Sequence, residues 1–277
     1  MSRHITGLDH VILAVRDLDA ASETFRRLGF TLSARGEHAE WGTANRCLMF
    51  GNDYIELLAA EGEGEPAERL RAFTQTREGL MGLVFGSADA AADAARLGLE
   101  PPGSLSRTIP TQDGPRLARF VAGVLPPDTT PGVPSFLCQH LTPELLRQPG
   151  WTDHANTAAA IASVTALVAD PVGLMAAWDR LIGPAAATAT DETVTVHSGR
   201  GLVFLCRPDD LDQLHPEAED EPVPPPPALV AMTVTVASTD IAARVLRANG
   251  VPHSRDPDGT LRVAAADACG VFIEMVA

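Results

Sequence analysis

Aromatic residues are scarce in this chain, making up 5% of its 277 residues with a single tyrosine. A pocket lined mainly by stacked aromatic rings is therefore disfavoured. No CxxC spacing occurs, and we expect four buried free thiols, Cys47, Cys138, Cys206 and Cys269. No apolar run reaches the roughly 18 residues of a transmembrane helix, and the amino-terminal residues lack the apolar stretch of a signal peptide. These absences predict a cytoplasmic protein.

Positive charge is also in deficit. Lysine and arginine number 21 against 36 aspartate and glutamate residues, which gives a net charge of −15. Nucleic acids and anionic membranes are disfavoured as partners, because binding them requires a basic face. No GxGxxG, P-loop, nucleophile elbow or HExxH motif is present, so nucleotide binding, serine hydrolase and zincin chemistry lack support. We expect a small-molecule substrate as the partner, and a homodimer is compatible with the sequence.

A strand followed by an amphipathic helix occurs four times, within residues 7–30, 79–99, 161–183 and 229–251. Such internal repeats set the architecture of a chain. The fourth position of the first strand in the four copies is occupied, in order, by His10, Gly82, Ser163 and Ala231. Only the first copy has a side chain there that can bind a metal or transfer a proton.

Shorter strands follow each helix. In the first copy we predict strands at residues 10–15, 30–34, 47–50 and 54–59, because they are rich in β-branched and apolar residues. The fourth copy closes in the same way. Residues 54–58 and 272–276 align one by one, which places Glu56 and Glu274 at equivalent positions.

Separators divide the copies. Residues 147–150 lie near the middle, residues 216–227 form an acidic and proline-rich linker, and residues 125–132 are an insertion in the second copy. We predict a first domain over residues 1–146, with modules 5–60 and 79–145. A second, degenerate domain is predicted over residues 158–277, with modules 160–207 and 228–277.

This pattern resembles the vicinal oxygen chelate superfamily, which includes glyoxalase I, extradiol dioxygenases and fosfomycin-resistance proteins. Within it, the segments 8–15, 41–46, 54–57 and 139–143 are similar to the glyoxalase-like domain family. The resemblance implies an α+β fold of four βαβββ modules paired into two incomplete mixed-sheet barrels. Module one would pair with two, and module three with four.

The resemblance also implies that metal ligands come from the first and last strands of paired modules. In the first barrel these positions offer His10 and Glu56, whereas Gly82 cannot act as a ligand. The last strand of module two offers Gln139 and His140, of which only one can face the barrel. Imidazole is the better ligand, so His10, Glu56 and His140 are the predicted metal ligands. Such a set suits a divalent ion, Fe, Zn, Mn, Co or Ni.

Ordinary structural roles compete with this interpretation. A lone histidine near the start of an apolar strand is commonly a hydrogen-bonded core residue, and Glu56 would face solvent on a half-buried strand. If His140 faced outward, Gln139 would be the third ligand, or no metal would bind. The metal site is favoured because His10 and Glu56 lie on the first and last strands of the same module, and module two, its partner, supplies the third ligand.

The segment 36–46 contains further polar residues. Asn45, Arg46 and Trp41 are candidate substrate-binding residues, whereas His38 and Glu56 are candidate catalytic residues for proton transfer. The alternative is a polar loop whose side chains satisfy turn hydrogen bonds.

The second barrel has Ser163, Ala231 and Glu274 at the equivalent positions. One carboxylate without an imidazole is a poor site for a transition metal, so this barrel is interpreted as structural or lid-bearing, with Glu274 a leftover or surface residue. His154, between the domains, could reach the mouth of the first barrel, although an exposed linker histidine is the ordinary case.

The leading functional hypothesis is a glyoxalase-like metalloenzyme of lyase or isomerase type, acting on a small substrate with adjacent oxygens. An Fe(II) ring-cleaving dioxygenase is the alternative. One argument against it is that the known dioxygenases of the superfamily typically hold their metal in the second barrel, whereas the candidate ligands here lie in the first. A metal-free binding or resistance protein is the third hypothesis, weakened by the scarcity of aromatics.

Overall fold

The computed structural model describes residues 4–111, 113–130, 133–219 and 221–277. Outside these ranges lie residues 1–3 and Gln112 of the predicted first domain, residues 131–132 of the predicted insertion and Asp220 of the predicted linker. None of the helices formed by the described residues has the length and apolar character needed to cross a bilayer.

In the described ranges the chain forms sixteen strands and six α-helices. The strands are β1 (Ile5–Ala14), β2 (Gly36–His38), β3 (Thr43–Met49), β4 (Tyr54–Ala60), β5 (Gly79–Ser87), β6 (Gly103–Thr111), β7 (Gly114–Leu125), β8 (Ser135–His140), β9 (Ala158–Leu167), β10 (Ala187–Thr190), β11 (Thr193–His197), β12 (Leu202–Cys206), β13 (Ala228–Val236), β14 (Ser254–Arg255), β15 (Leu261–Val263) and β16 (Phe272–Val276). The helices are α1 (Leu18–Arg27), α2 (Glu65–Thr76), α3 (Ala90–Leu97), α4 (Met175–Ile182), α5 (Leu211–Leu214) and α6 (Thr239–Ala248).

Two eight-stranded mixed sheets contain all of these strands. The first has the order β2-β3-β4-β1-β5-β8-β7-β6 and the second has the order β10-β11-β12-β9-β13-β16-β15-β14. In each sheet the first strands of two modules pair antiparallel at the centre, and each pairs parallel with the last strand of its own module. This confirms the predicted α+β fold of four paired βαβββ modules. We call the two sheets the first and second barrels, and we retain the domain limits 1–146 and 158–277 as a proposal.

Helices cover one face of the first barrel. Asp17 caps the start of helix α1, and its carboxylate accepts hydrogen bonds from the backbone N–H groups of Asp19 and Ala20. Its buried residues Ala21 and Phe25 pack with strand residues such as Val11, Leu13, Ile55 and Leu57 in the main core. We call the opposite face the site face. The edge strands β2 and β6 contact each other, so the sheet curves round this face.

The predicted strand at residues 30–34 is wrong. This segment has no strand structure, and the first short strand after α1 is β2. The backbone N–H of Thr31 donates its hydrogen bond to Nδ1 of His154 at 3.0 Å, so it does not pair with a neighbouring strand. Residues near Thr31 are therefore tied to the inter-domain segment.

The two barrels pack through close backbone contacts. Gly7 has φ +113°, and a Cβ atom there would lie 2.1 Å from the backbone nitrogen of Arg200. The neighbouring Leu8 donates its N–H to the carbonyl of Arg200 at 2.8 Å. A side chain at position 7 would push β1 away from the bend at Arg200, so glycine is required there. Asp53, between β3 and β4, also accepts the N–H of Ile161 in β9 at 2.9 Å.

Candidate metal and substrate site

His10 lies on the site face at the centre of the first barrel. Its ring stacks on that of Tyr54, with centroids 4.2 Å apart, because the two residues are register partners in β1 and β4. The His10 residue is buried at 7% exposure. It is therefore packed on one side, and its two nitrogens point along the sheet face.

Asp9 joins His10 to the second module. Its carboxylate is 2.7 Å from Nδ1 of His10 and 2.8 Å from Nε2 of His140. Burial alone would raise the pKa of Asp9, but the hydrogen bonds and positive charge of the two imidazoles outweigh it and hold the pKa well below its usual value. Asp9 is thus an ionised carboxylate that fixes two imidazole rings.

A β-bulge places Asp9 beside His10 rather than on the opposite face. Leu8 pairs with Phe85 and His10 pairs with Val84, so Asp9 is the extra residue between two pairs. Strict alternation would send adjacent side chains to opposite faces. The irregularity lets both reach the same site.

Glu56 lies next to His10 on β4. Its Oε2 atom is 3.7 Å from Nε2 of His10, and its Oε1 atom accepts a hydrogen bond from the Asn45 amide. Burial raises the pKa of Glu56, but the charges of His10, His38 and Arg107 lower it by more, so the net shift of the pKa is downward. The carboxylate is ionised at neutral pH and can accept a proton or bind a cation.

The predicted pair Asn45 and Arg46 is split by strand alternation. Asn45 reaches Glu56 on the site face, whereas Arg46 contacts the carbonyl of Ser33 at 3.3 Å and Asp19 of α1 at 3.8 Å. Arg46 therefore lies on the helix-covered side of β3, away from the site, and the structure does not support its predicted role in substrate binding.

His38 and Trp41 lie together at the β2 edge, with ring centroids 5.3 Å apart. Nδ1 of His38 is 3.1 Å from the Thr43 hydroxyl. Burial and the charge of Arg107 lower the pKa of His38, although Glu56 acts in the opposite direction. The imidazole is therefore neutral at neutral pH and able to take up a proton.

The last strand of module two resolves the choice between Gln139 and His140. The Gln139 amide accepts the N–H of Ala90 at 3.1 Å and donates to the carbonyl of Ala88 at 2.9 Å, on the helix side. His140 instead faces Asp9 on the site face. Ligand atoms of Asp9, Cys138 and His140 lie within 4.8 Å of one another, and burial raises the pKa of the Cys138 thiol strongly. Cys138 is thus a protonated neighbour of this group.

Arg107 is a site residue that the sequence did not indicate. It lies on β6, with its Nη2 atom 3.9 Å from Sγ of Cys47 and its guanidinium carbon 5.8 Å from the Phe120 ring centroid. A shallow open cleft lies beside Arg107 and is lined by Gly36, Cys47 and Trp151 among others. No motif in the sequence identifies Arg107, which the edge strand β6 brings to the site face.

The equivalent face of the second barrel contains a closed ionic cluster. Glu274 is buried, accepts a hydrogen bond from Thr233 at 3.0 Å, and lies 3.1 Å from Nδ1 of His215. Arg262 contacts Glu274 and lies 2.9 Å from Glu217. The prediction of a surface position for Glu274 is therefore wrong. This barrel does contain an imidazole, contributed by the segment after α5, and ligand atoms of His215, Glu217 and Glu274 lie within 4.8 Å of one another.

His154 is neither an exposed linker residue nor part of the site. Its Nε2 atom is 2.9 Å from the carbonyl of Met49, and Nδ1 accepts the N–H of Thr31. Both nitrogens are occupied in a buried position. The residue holds the inter-domain segment against the first barrel, and the prediction of an exposed histidine is wrong.

The predicted ligands His10 and Glu56 do not belong to the first-barrel group whose ligand atoms lie within 4.8 Å of one another, which is Asp9, Cys138 and His140. Two further observations bear on whether this barrel could hold a divalent metal ion. Nε2 of His10 lies 3.7 Å from Glu56 and has only a long contact, 3.5 Å, with the Tyr54 hydroxyl, while Nδ1 is held by a carboxylate, as is common for metal-binding histidines. Among the described residues, Nδ1 of His140 is a buried nitrogen without a hydrogen-bond partner. Two imidazoles and one carboxylate form a donor set for first-row metals.

Comparisons with known proteins agree with this fold. A hypothetical protein from Staphylococcus aureus has a TM-score of 0.61 at 12% identity, with 97% of both chains covered. A variant of 4-hydroxymandelate synthase from Streptomyces coelicolor has a TM-score of 0.58 at 14% identity, covering 98% of this chain and 92% of that one. A fusion of a xylose isomerase-like TIM barrel with 4-hydroxyphenylpyruvate dioxygenase has a TM-score of 0.56 at 12% identity, covering 99% of this chain and 49% of that one.

No curated protein matches the sequence. The glyoxalase-like domain family, however, matches residues 8–182, which is more than half of the chain. That match includes β1, β4 and β8, the strands that bring His10, Glu56 and His140 to the first barrel. The chain therefore belongs to the glyoxalase-like domain family of the vicinal oxygen chelate superfamily.

Proposed function

We propose that the protein is a metal-dependent lyase or isomerase that acts on a small substrate with two adjacent oxygens. The observation that carries this proposal is the His10 imidazole, held between the Asp9 carboxylate at 2.7 Å and the Glu56 carboxylate at 3.7 Å. His10, Glu56 and His140 would hold the ion. When bound, it would act as a Lewis acid on the oxygens of the substrate.

Proton transfer falls to the side chains around this position. His38 is neutral and Glu56 is ionised, so each can accept a proton from a carbon next to a carbonyl group. Asn45 donates to Glu56 and keeps one carboxylate oxygen oriented. Asp9 holds the rings of His10 and His140, which removes the entropic cost of ordering them when substrate binds.

The test is metal analysis of the purified protein and of a His10→Ala, Glu56→Ala double variant, each after incubation with Fe(II), Zn, Mn, Co and Ni. We expect about one metal ion per chain in the parent protein and its loss in the variant. A His215→Gln, Glu274→Gln double variant is the matched control, because it changes the second barrel only, and it should retain the ion.

Activity assays on the loaded protein then separate the reaction classes. Exchange of a carbon-bound proton with solvent deuterium, followed by NMR on small 2-oxo and 2-hydroxy carbonyl compounds, is expected for a lyase or isomerase. Oxygen consumption with catechols would instead identify a ring-cleaving dioxygenase. Absence of metal from the parent protein after all incubations would refute the metalloenzyme and leave a binding protein.

A further inference from the structure

Arg107 is held on the site face by the alternation of β6. Leu105, Arg107 and Ile109 are buried or half-buried, whereas Ser106 and Thr108 between them are exposed. The strand is at one edge of the sheet, and it contacts β2 from the opposite edge. The guanidinium consequently lies inside the curved sheet, beside Cys47, whose register partner on β4 is Glu56.

The guanidinium has no counter-ion in contact. Within the described ranges, no carboxylate oxygen lies within 4.0 Å of Arg107, and its closest recorded polar contact is the sulfur of Cys47. Arg35, which lines the same cleft, differs: it pairs with both Glu37 and Glu61. Burial disfavours the charged guanidinium, but Coulombic interactions, that with Glu56 among them, outweigh burial and raise the pKa of Arg107. A bound anion would add the direct hydrogen bonds that no carboxylate of the described residues supplies.

Gly36 lies beside Arg107 on the wall of the cleft. Position 36 is a glycine, where a Cβ atom would come within 2.4 Å of Oδ1 of Asn45 and 3.4 Å of Nη1 of Arg107. That Oδ1 atom is buried without a hydrogen-bond partner among the described residues. Both the unpaired amide oxygen and the guanidinium, which no carboxylate contacts, thus lie close to Gly36.

We propose that Arg107 binds a carboxylate of the substrate, distinct from the two oxygens directed at the metal position, and so selects small organic acids. This inference rests on the proposed function, of which it names the substrate class. A carboxylate fits better than a phosphate, because only one unpaired cation lies in this part of the described structure and Arg35 is already neutralised. The planar guanidinium suits a planar carboxylate through two parallel hydrogen bonds.

The experiment compares two chelators that differ in one charged end. Succinohydroxamate carries a hydroxamate and a free carboxylate, whereas butyrohydroxamate carries the same chelating group and an uncharged tail. Binding of each to the metal-loaded protein is measured by calorimetry for the parent, for Arg107→Met and for the matched control Arg35→Met. The metal content and thermal unfolding of every variant are recorded in parallel.

We expect the parent to bind succinohydroxamate at least about tenfold more tightly than butyrohydroxamate, a difference of about 1.4 kcal/mol. Arg107→Met should remove this preference and leave the affinity for butyrohydroxamate unchanged, whereas Arg35→Met should keep the preference. Equal affinity of the parent for both probes, or a preference that survives in Arg107→Met, would overturn the inference.

A second arm separates this inference from the proposed function. If the parent takes up no metal, the proposed function fails, and butyrate is compared with butyramide through the fluorescence of Trp151, which lines the cleft. A saturable change with butyrate alone, absent in Arg107→Met, would support the carboxylate site without a metal. No change with butyrate would refute it.

Discussion

The two barrels share one strand order but use their buried carboxylates differently. In the first barrel, Asp9 and Glu56 contact imidazoles, and Arg107 stays out of ion-pair distance of both among the described contacts. In the second, Arg262 contacts Glu217, Asp256 and Glu274 directly. The second cluster contains its own contacting cation, Arg262, whereas no arginine contacts the carboxylates of the first among the described residues.

This difference teaches that an acidic residue at an equivalent position does not by itself transfer a function. Glu56 and Glu274 both lie on the last strand of a module, next to its first strand. Each has an imidazole nearby, and what separates them is the third partner: an amide for Glu56 and a contacting guanidinium for Glu274. An internal guanidinium supplies the charge that an ion would supply and makes the second cluster a stabilising one.

The largest expected effect is loss of folding stability in Arg262→Met. The change leaves Glu217 and Glu274 without their cation at buried positions, which costs about 3–5 kcal/mol. Urea unfolding followed by circular dichroism measures it. Arg107→Met is the matched control in the first barrel and should cost far less, since no ion pair is broken. Equal losses would show that the two barrels do not differ in this respect.

A second prediction concerns the joint between the barrels. Asp53 is buried there, and burial raises its pKa from 3.8 to about 6, although the hydrogen bond from Ile161 acts in the opposite direction. Because the folded-state pKa exceeds the unfolded value, its contribution to stability is complete below about pH 4 and is lost as the pH rises through about 6.

Asp53→Asn should therefore stabilise the protein at pH 8 by up to about 3 kcal/mol, since the amide oxygen can still accept the N–H of Ile161. At pH 4 the two proteins should unfold alike. Thermal unfolding between pH 4 and 8 measures the difference. A constant difference across this range would mean that Asp53 does not titrate between these limits and that the barrels are joined by other contacts.

The repeat pattern and the motifs were sufficient to predict the fold and part of the site. Four strand–helix copies fix the order of modules, and His10 and Glu56 lie at corresponding ends of the first copy. Asp9 was missed because alternation assigns it to the opposite face, and only the β-bulge reverses this. A local irregularity of one residue leaves no clear trace in hydrophobic periodicity.

The remaining residues were missed because tertiary contacts place them. Arg107 comes from a hairpin at the sheet edge, and His215 comes from the segment between modules three and four. Neither occupies a position that the repeats align. Long-range contacts between such segments and the repeated modules depend on the paths of the loops, which composition and periodicity do not specify.

A third prediction tests whether Asp9 orients the imidazoles of the first barrel. Asp9→Asn keeps the size of the side chain but removes the charge shared by His10 and His140. Loss of such an orienting carboxylate typically lowers metal affinity by about 10–100-fold. Competition with a chromogenic chelator measures it, and Glu217→Gln in the second barrel is the control. Unchanged affinity in Asp9→Asn would mean that Asp9 does not act on the metal-binding rings.

The smallest expected effect separates two neighbours in β8. Gln139→Ala removes two hydrogen bonds to backbone groups at the start of α3 and should cost about 1 kcal/mol of stability without changing metal content. His140→Ala should do the reverse, with a clear loss of metal. Unfolding curves and metal analysis on both variants decide between them. Loss of metal from Gln139→Ala with retention in His140→Ala would reverse the assignment of faces and return the third ligand to Gln139.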